Sequence, residues 1–279
     1  MQCGQQGTLA TGIGEHGMVD VAVVTGAGRS LGAAIADRLA RRGMHVVVTD
    51  KDEMAALSTV DNLPGRGTAF RLEVTDPEAN RVVARHAVGI GSLRVWVCNA
   101  GVLFTGGVDE ITDEEVRRQV EVNLLGVIYG CRTALEVMRD GELLCLASLA
   151  AHGPVPGLAV YAATKAAVLS FCHSVNVEMR SAGRDVRVRA LCPDATDTAM
   201  VRQVAGSPSS AMLFTGTRLL RAGDVADAAV GMLDSPRAVR TLPAWRGVLL
   251  RTSALVPRLA ERAVPLLCKY GERRRRQLQ

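Results

Sequence analysis

Residues 21–32 read VAVVTGAGRSLG, and the order of those residues decides the fold. Val21–Thr25 is a short continuous apolar run, as expected of a strand covered on both faces. It runs straight into Gly26-Ala27-Gly28-Arg29-Ser30-Leu31-Gly32. From Leu31 the apolar residues recur at helical spacing (Leu31, Ile35, Leu39) to Arg42, and Gly43 marks the end. Glycines at such a strand-to-helix turn let the backbone fold tightly and approach a pyrophosphate, whose charge is favoured at the helix N-terminus. The spacing is G-x-G-x-x-x-G, because Leu31 takes the place of the final glycine in the tighter G-x-G-x-x-G pattern. The strand before and the helix after supply the context that a glycine-rich loop alone lacks. Gly26, Gly28, Arg29, Ser30, Leu31 and Gly32 are therefore expected to hold a nucleotide.

A second strand, His45–Thr49, ends at Asp50. A carboxylate there can accept hydrogen bonds from both hydroxyls of an adenosine ribose and would repel a 2′-phosphate. The plainer role is capping the helix that starts at Lys51. Arg29 pulls the other way, since a cation in the loop attracts a 2′-phosphate. The position of Asp50 favours NAD, with NADP as the alternative.

Strands and helices alternate beyond this point. Thr68–Leu72, Val95–Cys98, Leu143–Ala147 and Val186–Leu191 read as strands. Pro77–Ala87 reads as a helix capped by Asp76, with Pro77 at its first position. Thr112-Asp-Glu-Glu115 is a capping box that opens a long helix reaching Leu125 or Met138. Tyr161–Ser181 is another helix, and Gly223-Asp224 with Val225–Leu233 a capped one. This alternation predicts an α/β chain, a doubly wound parallel sheet of six or seven strands with helices on both faces. Residues 1–18 show neither period and read as a disordered leader. Residues 19–236 form one domain, and 237–279 are a basic extension packed on it or trailing from it.

Tyr161 and Lys165 stand four apart in Tyr-Ala-Ala-Thr-Lys, so on a helix they share a face. A neighbouring ammonium favours phenolate, which suits a general acid/base for alcohol–carbonyl chemistry. Taken alone, the pair would also fit an ordinary amphipathic helix with exposed tips. Composition excludes other classes. The chain is 48% apolar and 22% charged, an ordinary globular balance. No run approaches the length of a membrane span, and no secretory signal pattern opens the chain. Seven scattered cysteines without a CxxC, and five dispersed histidines, form no metal-ligand pattern and fit reduced thiols in the cytoplasm.

Together these residues resemble the short-chain dehydrogenase/reductase family in its common single-domain branch. The resemblance covers about residues 19–200 and rests on ordered motifs: Thr25–Gly32, Asn99-Ala100-Gly101, Asn123, Ser148, Tyr161-x-x-x-Lys165 and Pro193–Thr198. It implies a Rossmann-like fold and hydride transfer with a nicotinamide cofactor. It implies that Tyr161 is the acid/base, and that Lys165 holds the nicotinamide ribose and lowers the tyrosine pKa. Ser148 would hydrogen-bond the substrate oxygen, and Asn123 would anchor a water that relays protons to Lys165. Asn99, Ala100 and Gly101 would lie against the adenosine side, Glu73 and Val74 beside the adenine, and Pro193, Thr196 and Thr198 along the nicotinamide. The chain departs from the family pattern at Ser30 (usually the loop's middle glycine), Cys98 (asparagine), Glu73-Val74 (an aspartate), Asp194 (glycine) and Thr196 (aliphatic).

The expected substrate pocket, Leu149–Leu158 with residues 200–220, is mostly apolar and suits a small hydrophobic secondary alcohol or ketone. His152 is either a substrate contact or an ordinary loop histidine. A non-catalytic nucleotide-sensing homologue, or a dehydratase or epimerase on the same scaffold, are the competing readings. From Arg237 to Gln279 there are 11 Lys/Arg against 2 Asp/Glu, so the net charge of +5 hides a body of −4. No family-type terminal strand is legible there. The segment reads as a packed helix with a frayed basic tail. Alternatively it is a membrane-surface segment, a wrap around a partner subunit, or a cover for the pocket. It lacks the interleaved aromatics of a nucleic-acid site. A homodimer through the Thr112 and Tyr161 helices is expected.

Overall fold

The structure, a computed structural model, describes residues 18–253, 255 and 257–278; the expected leader lies, apart from Met18, outside them. Strands β1 (Asp20–Thr25), β2 (His45–Asp50), β3 (Gly67–Arg71), β4 (Ser92–Cys98), β5 (Asp140–Leu146), β6 (Asp185–Pro193) and β7 (Val239–Leu242) form one parallel sheet in the order β3-β2-β1-β4-β5-β6-β7. The order reverses between β1 and β4, so the crevice outside their carboxyl ends is where an open α/β sheet binds ligands.

Strand residues alternate between the two faces. Val21 and Val23 join a core with Trp96, Val127 and Val168, while Ala22 and Val24 join the opposite core with Ile35, Leu39 and Val225. Helices α3 (Pro77–Ile90), α5 (Gly126–Val137) and α6 (Ala159–Ser181) cover the first face. Helices α1 (Ser30–Arg41) and α8 (Ala222–Val230) cover the second, α2 (Glu53–Asp61) flanks β2 and β3, and the short α7 (Ala199–Val204) follows β6. Asp76 caps α3 as its sequence predicts. Thr112 and Glu115 form the reciprocal capping box of α4 (Asp113–Val120). Between α4 and α5 the helix widens into one π-type turn, Glu121–Leu125, centred on Asn123.

Three expectations change. The cap of α8 is Arg221, and Asp224 lies in the first turn paired with it. The sheet has seven strands, the upper of the six or seven expected. The seventh, β7, lies in the C-terminal segment where no terminal strand was legible. β7 escapes sequence reading because Val-Arg-Thr-Leu has no apolar run, and an edge strand needs none. Arg189 explains its attachment: buried in β6, it pairs with buried Glu142 of β5 and donates to the carbonyls of Ser235 and Arg237 just before β7. Nor is the basic tail frayed. Past α9 (Ala244–Ser253), helix α10 (Pro257–Leu278) carries Arg273–Arg276 within it. Arg274 donates to the carbonyls of Gly216 and Thr217, and Arg275 to those of Ala205 and Gly206.

Five described cysteines (98, 131, 145, 172, 192) are buried and reduced. Cys98, Cys131 and Cys145 pack sulfur to sulfur at 3.6–3.8 Å in the core behind α5.

Candidate active site

The glycine loop is built by close approach. Gly26 has φ +61, and a Cβ there would stand 2.7 Å from the Ala100 Cα. Ser30, the residue standing for the expected glycine, takes a φ of 50. Ser30 therefore holds a left-handed conformation that costs a non-glycine residue on the order of 1 kcal/mol. Asn99 stitches the loop to β4: its Nδ2 donates to the carbonyls of Thr25 and Gly26, both at 2.9 Å. Thr25 Oγ1 accepts from the backbone of Asn99 and Ala100. At the start of α1 no side chain caps the first turn and no acidic residue lies in it. The turn thus brings no side-chain cap and no acidic residue of its own to the crevice that residues 29–32 line, the chemistry a phosphate needs.

Asp50 Oδ2 accepts from Gly28 N at 3.0 Å, and Oδ1 from Asp52 N. The helix cap of α2 is Asp52, not Asp50. The Asp50 carboxylate is thus fixed against the loop and lines the crevice with Arg29 and Lys51. Glu73, expected near the adenine, pairs with Arg118 at 3.0 Å. Burial pushes its carboxyl up, but Arg118 holds the net value below the ordinary range.

Across the crevice, α6 carries Tyr161 and Lys165 one turn apart. Lys165 is 4% exposed, and its Nζ donates to the Leu146 carbonyl at 2.8 Å. It lies 5.7 Å from the centre of the Tyr161 ring. Ser148 begins the 3-10 turn Leu149–His152, its Oγ accepting from Ala150 N. The protein's own groups do not lower the tyrosine as expected. Burial pushes the Tyr161 phenol above its ordinary value, and hydrogen bonding with Ser148 only partly offsets this. Lys165 is itself brought down by burial to about 8 from 10.5, the nearby thiols acting in the opposite sense. Asn123, fully buried in the π turn, spends its amide on Val102, accepting from its N–H at 2.8 Å and donating to its carbonyl at 2.9 Å.

The lowered Lys165 gives a pH dependence with a definite sign. Between about 8 and 10.5 the unfolded chain keeps a proton that the folded chain has released. Stability is therefore expected to rise with pH through that window, by up to about 1.4 kcal/mol per unit. Urea midpoints measured across it test this; Lys165→Met should flatten the slope, and a slope that persists in the variant refutes the assignment.

One cavity of about 510 Å³ joins these parts. Gly26, Arg29, Ser30, Leu31, Gly32, Asp50, Glu73 and Val74 line one end, and Asn99–Gly101 the middle. Ser148, Tyr161, Lys165, Pro193, Thr196 and Thr198 line the other. Gly28 and Asn123 stand behind the wall. His152 is not on it, since its Nε2 meets Thr241 Oγ1 at 3.2 Å. Beyond Tyr161 the walls turn apolar with Leu149, Val155, Met200, Met212 and Leu213.

The outer wall comes from the C-terminal segment, for which a cover over the pocket was one of the alternatives but no residue could be named. Leu250 of α9 and Leu267 of α10 line the cavity, and Arg246 of α9 pairs with Asp194 and donates to Thr215 Oγ1 at 2.8 Å. A Cβ on Gly216 would lie 2.9 Å from both members of that pair, so glycine lets the loop close over it. Asp194 stood out in sequence only as an odd substitution, and nothing local tied it to Arg246.

The family model for short chain dehydrogenases matches residues 20–208. The chain is 32% identical over 232 residues to 3beta-hydroxysteroid dehydrogenase 1 of Eggerthella lenta, covering 80% of this chain and 84% of that protein. It is 35% identical over 192 residues to versicolorin reductase 1 of Aspergillus parasiticus, covering 66% and 72% respectively. A crystal structure of a short chain dehydrogenase/reductase from Burkholderia phymatum in complex with NAD superposes with a TM-score of 0.74 at 26% identity. That match covers 88% of this chain and 94% of the other. With the glycine loop, the β1/β4 crevice and the Ser148, Tyr161 and Lys165 side chains on one cavity, the chain belongs to the short-chain dehydrogenase family, nicotinamide-dependent oxidoreductases acting on CH–OH groups.

Proposed function

We propose that the protein interconverts a hydrophobic secondary alcohol and its ketone, with NAD(H) as the cofactor and Tyr161 as general acid/base. One observation carries this reading: Tyr161, Ser148 and Lys165 lie on the same cavity as Asp50 and the glycine loop, and that cavity continues into an apolar chamber. When bound, the nicotinamide supplies or accepts the hydride. The residues on this chain supply the rest. The first turn of α1 and the Gly26–Gly32 loop would hold the pyrophosphate, and Asp50 the adenosine ribose. Tyr161 holds a proton at its phenol oxygen for ketone reduction and removes one from the hydroxyl for alcohol oxidation. Ser148 Oγ steadies the substrate oxygen as its charge changes. Lys165, neutral or charged near pH 8, lies one turn below the ring and orients the ribose side of the site. Asn123 fixes the backbone at Val102 beside Gly101. The names of the steroid and versicolorin relatives support an apolar, polycyclic or lipid-like substrate. A panel of secondary alcohols and ketones with NAD(H) and NADP(H), followed by nicotinamide fluorescence, tests the proposal; no turnover with any of them counts against it.

NADP(H) is a second reading favoured by a specific observation, because Arg29 and Lys51 line the crevice beside Asp50. The carboxylate, held by Gly28 N beside them on the crevice, would repel a 2′-phosphate, so NAD is preferred here. Asp50→Ser removes the repelling charge and is expected to shift the NAD:NADP preference towards NADP by about tenfold or more, the equivalent of about 1.4 kcal/mol. Ratios of kcat/KM for the two cofactors measure it. A parent protein that already prefers NADPH would overturn the role of Asp50.

A further inference from the structure

We propose that α9 and α10 form a surface that docks on an anionic phospholipid bilayer, with the mouth of the substrate cavity turned towards the lipid. The inward side of α9 is Arg246, Gly247 and Leu250, which pack on the sheet and the cavity. Its outward side carries Trp245, Val248 and Leu249, at 57–60% exposure and at the i, i+3, i+4 positions of one face. The turn adds Leu255 at 81% exposure, and α10 adds Leu266 at 70% and Tyr270 at 48%. Single exposed apolar residues are ordinary, but a run of them across two adjoining helices marks an interaction surface.

The chemistry of that surface selects the partner. Exposed Arg258, Arg262, Lys269 and Arg273 are interleaved with the apolar residues along α10. Arg246, Arg274 and Arg275 are spent on Asp194 and on loop carbonyls, so the outward charge of α10 rests on exposed cations such as these four, with Glu261 also exposed. Long basic side chains lay their stems on apolar surface and carry their charge outward, as on helices lying in a lipid interface. Tryptophan and tyrosine suit the same depth, apolar in body and polar at one edge. Among the described residues no helix is long and apolar enough to cross a membrane, so these helices would lie on it. A second copy seated face to face would set one strongly basic patch against another, which is electrostatically unfavourable.

The surface also meets the cavity. Leu250 and Leu267 line its outer wall from α9 and α10, and Leu267 is 41% exposed. A substrate dissolved in the lipid would reach Tyr161 without crossing water. Docking is independent of the hydride-transfer reading, and only this direct entry rests on it.

The test is flotation of the full chain with vesicles of phosphatidylcholine alone and with vesicles containing phosphatidylglycerol. Of the two tryptophans, Trp96 is fully buried, so any blue shift in emission reports Trp245. The protein is expected to float with the anionic vesicles only, with a blue shift, and to be released by salt. Arg262→Glu with Arg273→Glu should weaken binding by about tenfold or more. Trp245→Ala with Leu249→Ala should weaken it comparably. Both double variants should keep turnover of a water-soluble substrate, because none of these residues lines the cavity. Failure to float with anionic vesicles at low salt overturns the proposal, as do unchanged affinities in the variants. A dimer that Trp245→Ala with Leu249→Ala splits into monomers would also overturn it, assigning the face to a second copy. Vesicle binding in a protein that turns nothing over would leave docking intact and remove only the hydride-transfer reading.

Discussion

Tyr161→Phe is expected to lower turnover by about 10²–10⁴-fold, the usual range for a lost general acid/base, while nicotinamide cofactor binding survives. The phenyl ring keeps the packing of α6 against the cavity and removes only the oxygen that holds the proton. Burial raises the Tyr161 phenol, so in the parent protein the two directions should differ in pH dependence. Reduction needs the phenol, which is held over the whole neutral range. Oxidation needs the phenolate, so its rate should climb towards alkaline pH. In the phenylalanine variant that climb should vanish together with the rate. A bound nicotinamide cation would stabilise phenolate further and move the climb to lower pH. Cofactor affinity from fluorescence titration separates lost chemistry from lost binding. Undiminished turnover in this variant would remove Tyr161 from the mechanism.

Much of this site was legible because its parts are local. The strand–loop–helix at residues 21–42 is written in one contiguous pattern, and Tyr161 and Lys165 are brought together by helical spacing alone. What sequence could not show depends on partners far along the chain. Ser30 reads like any serine, and nothing in the sequence marks its left-handed backbone. Nothing local in the sequence showed that the Asn123 amide would be held by the Val102 backbone within a π turn. The tyrosine pKa was inferred from one neighbour, whereas burial of both groups outweighs their spacing. β7 was missed because its placement comes from Arg189, far upstream in β6, and not from its own composition. The C-terminal helices read as a tail for the same reason. Their cavity-facing residues, Leu250 and Leu267, are common leucines until the fold sets them on the same cavity as Tyr161.

Asp194→Ala is expected to destabilise the protein by about 3 kcal/mol, the usual cost of stranding one member of a buried ion pair. The side chains of Asp194 and Arg246 are only 10% and 14% exposed, so solvent screens neither effectively. Without the carboxylate, the Arg246 guanidinium keeps, among the described residues, Thr215 as its hydrogen-bond partner. The pair itself is not strongly favourable. Burial raises the Asp194 carboxyl above its ordinary value, and Arg246 offsets this only in part. A second variant should therefore recover most of the loss: Asp194→Ala combined with Arg246→Leu removes both charges and leaves an apolar contact, a change that is often neutral. The two should part in function. Arg246 ties α9 to the strand end at Pro193–Asp194, and Leu250, one turn further along α9, lines the chamber. Loosening that tie should raise KM for bulky apolar substrates more than it lowers kcat, because Tyr161 and Ser148 stand on other elements. Denaturant midpoints and the KM–kcat split of both variants decide the matter. Equal losses of stability in the single and double variants would mean that the ion pair is not what holds the C-terminal wall in place.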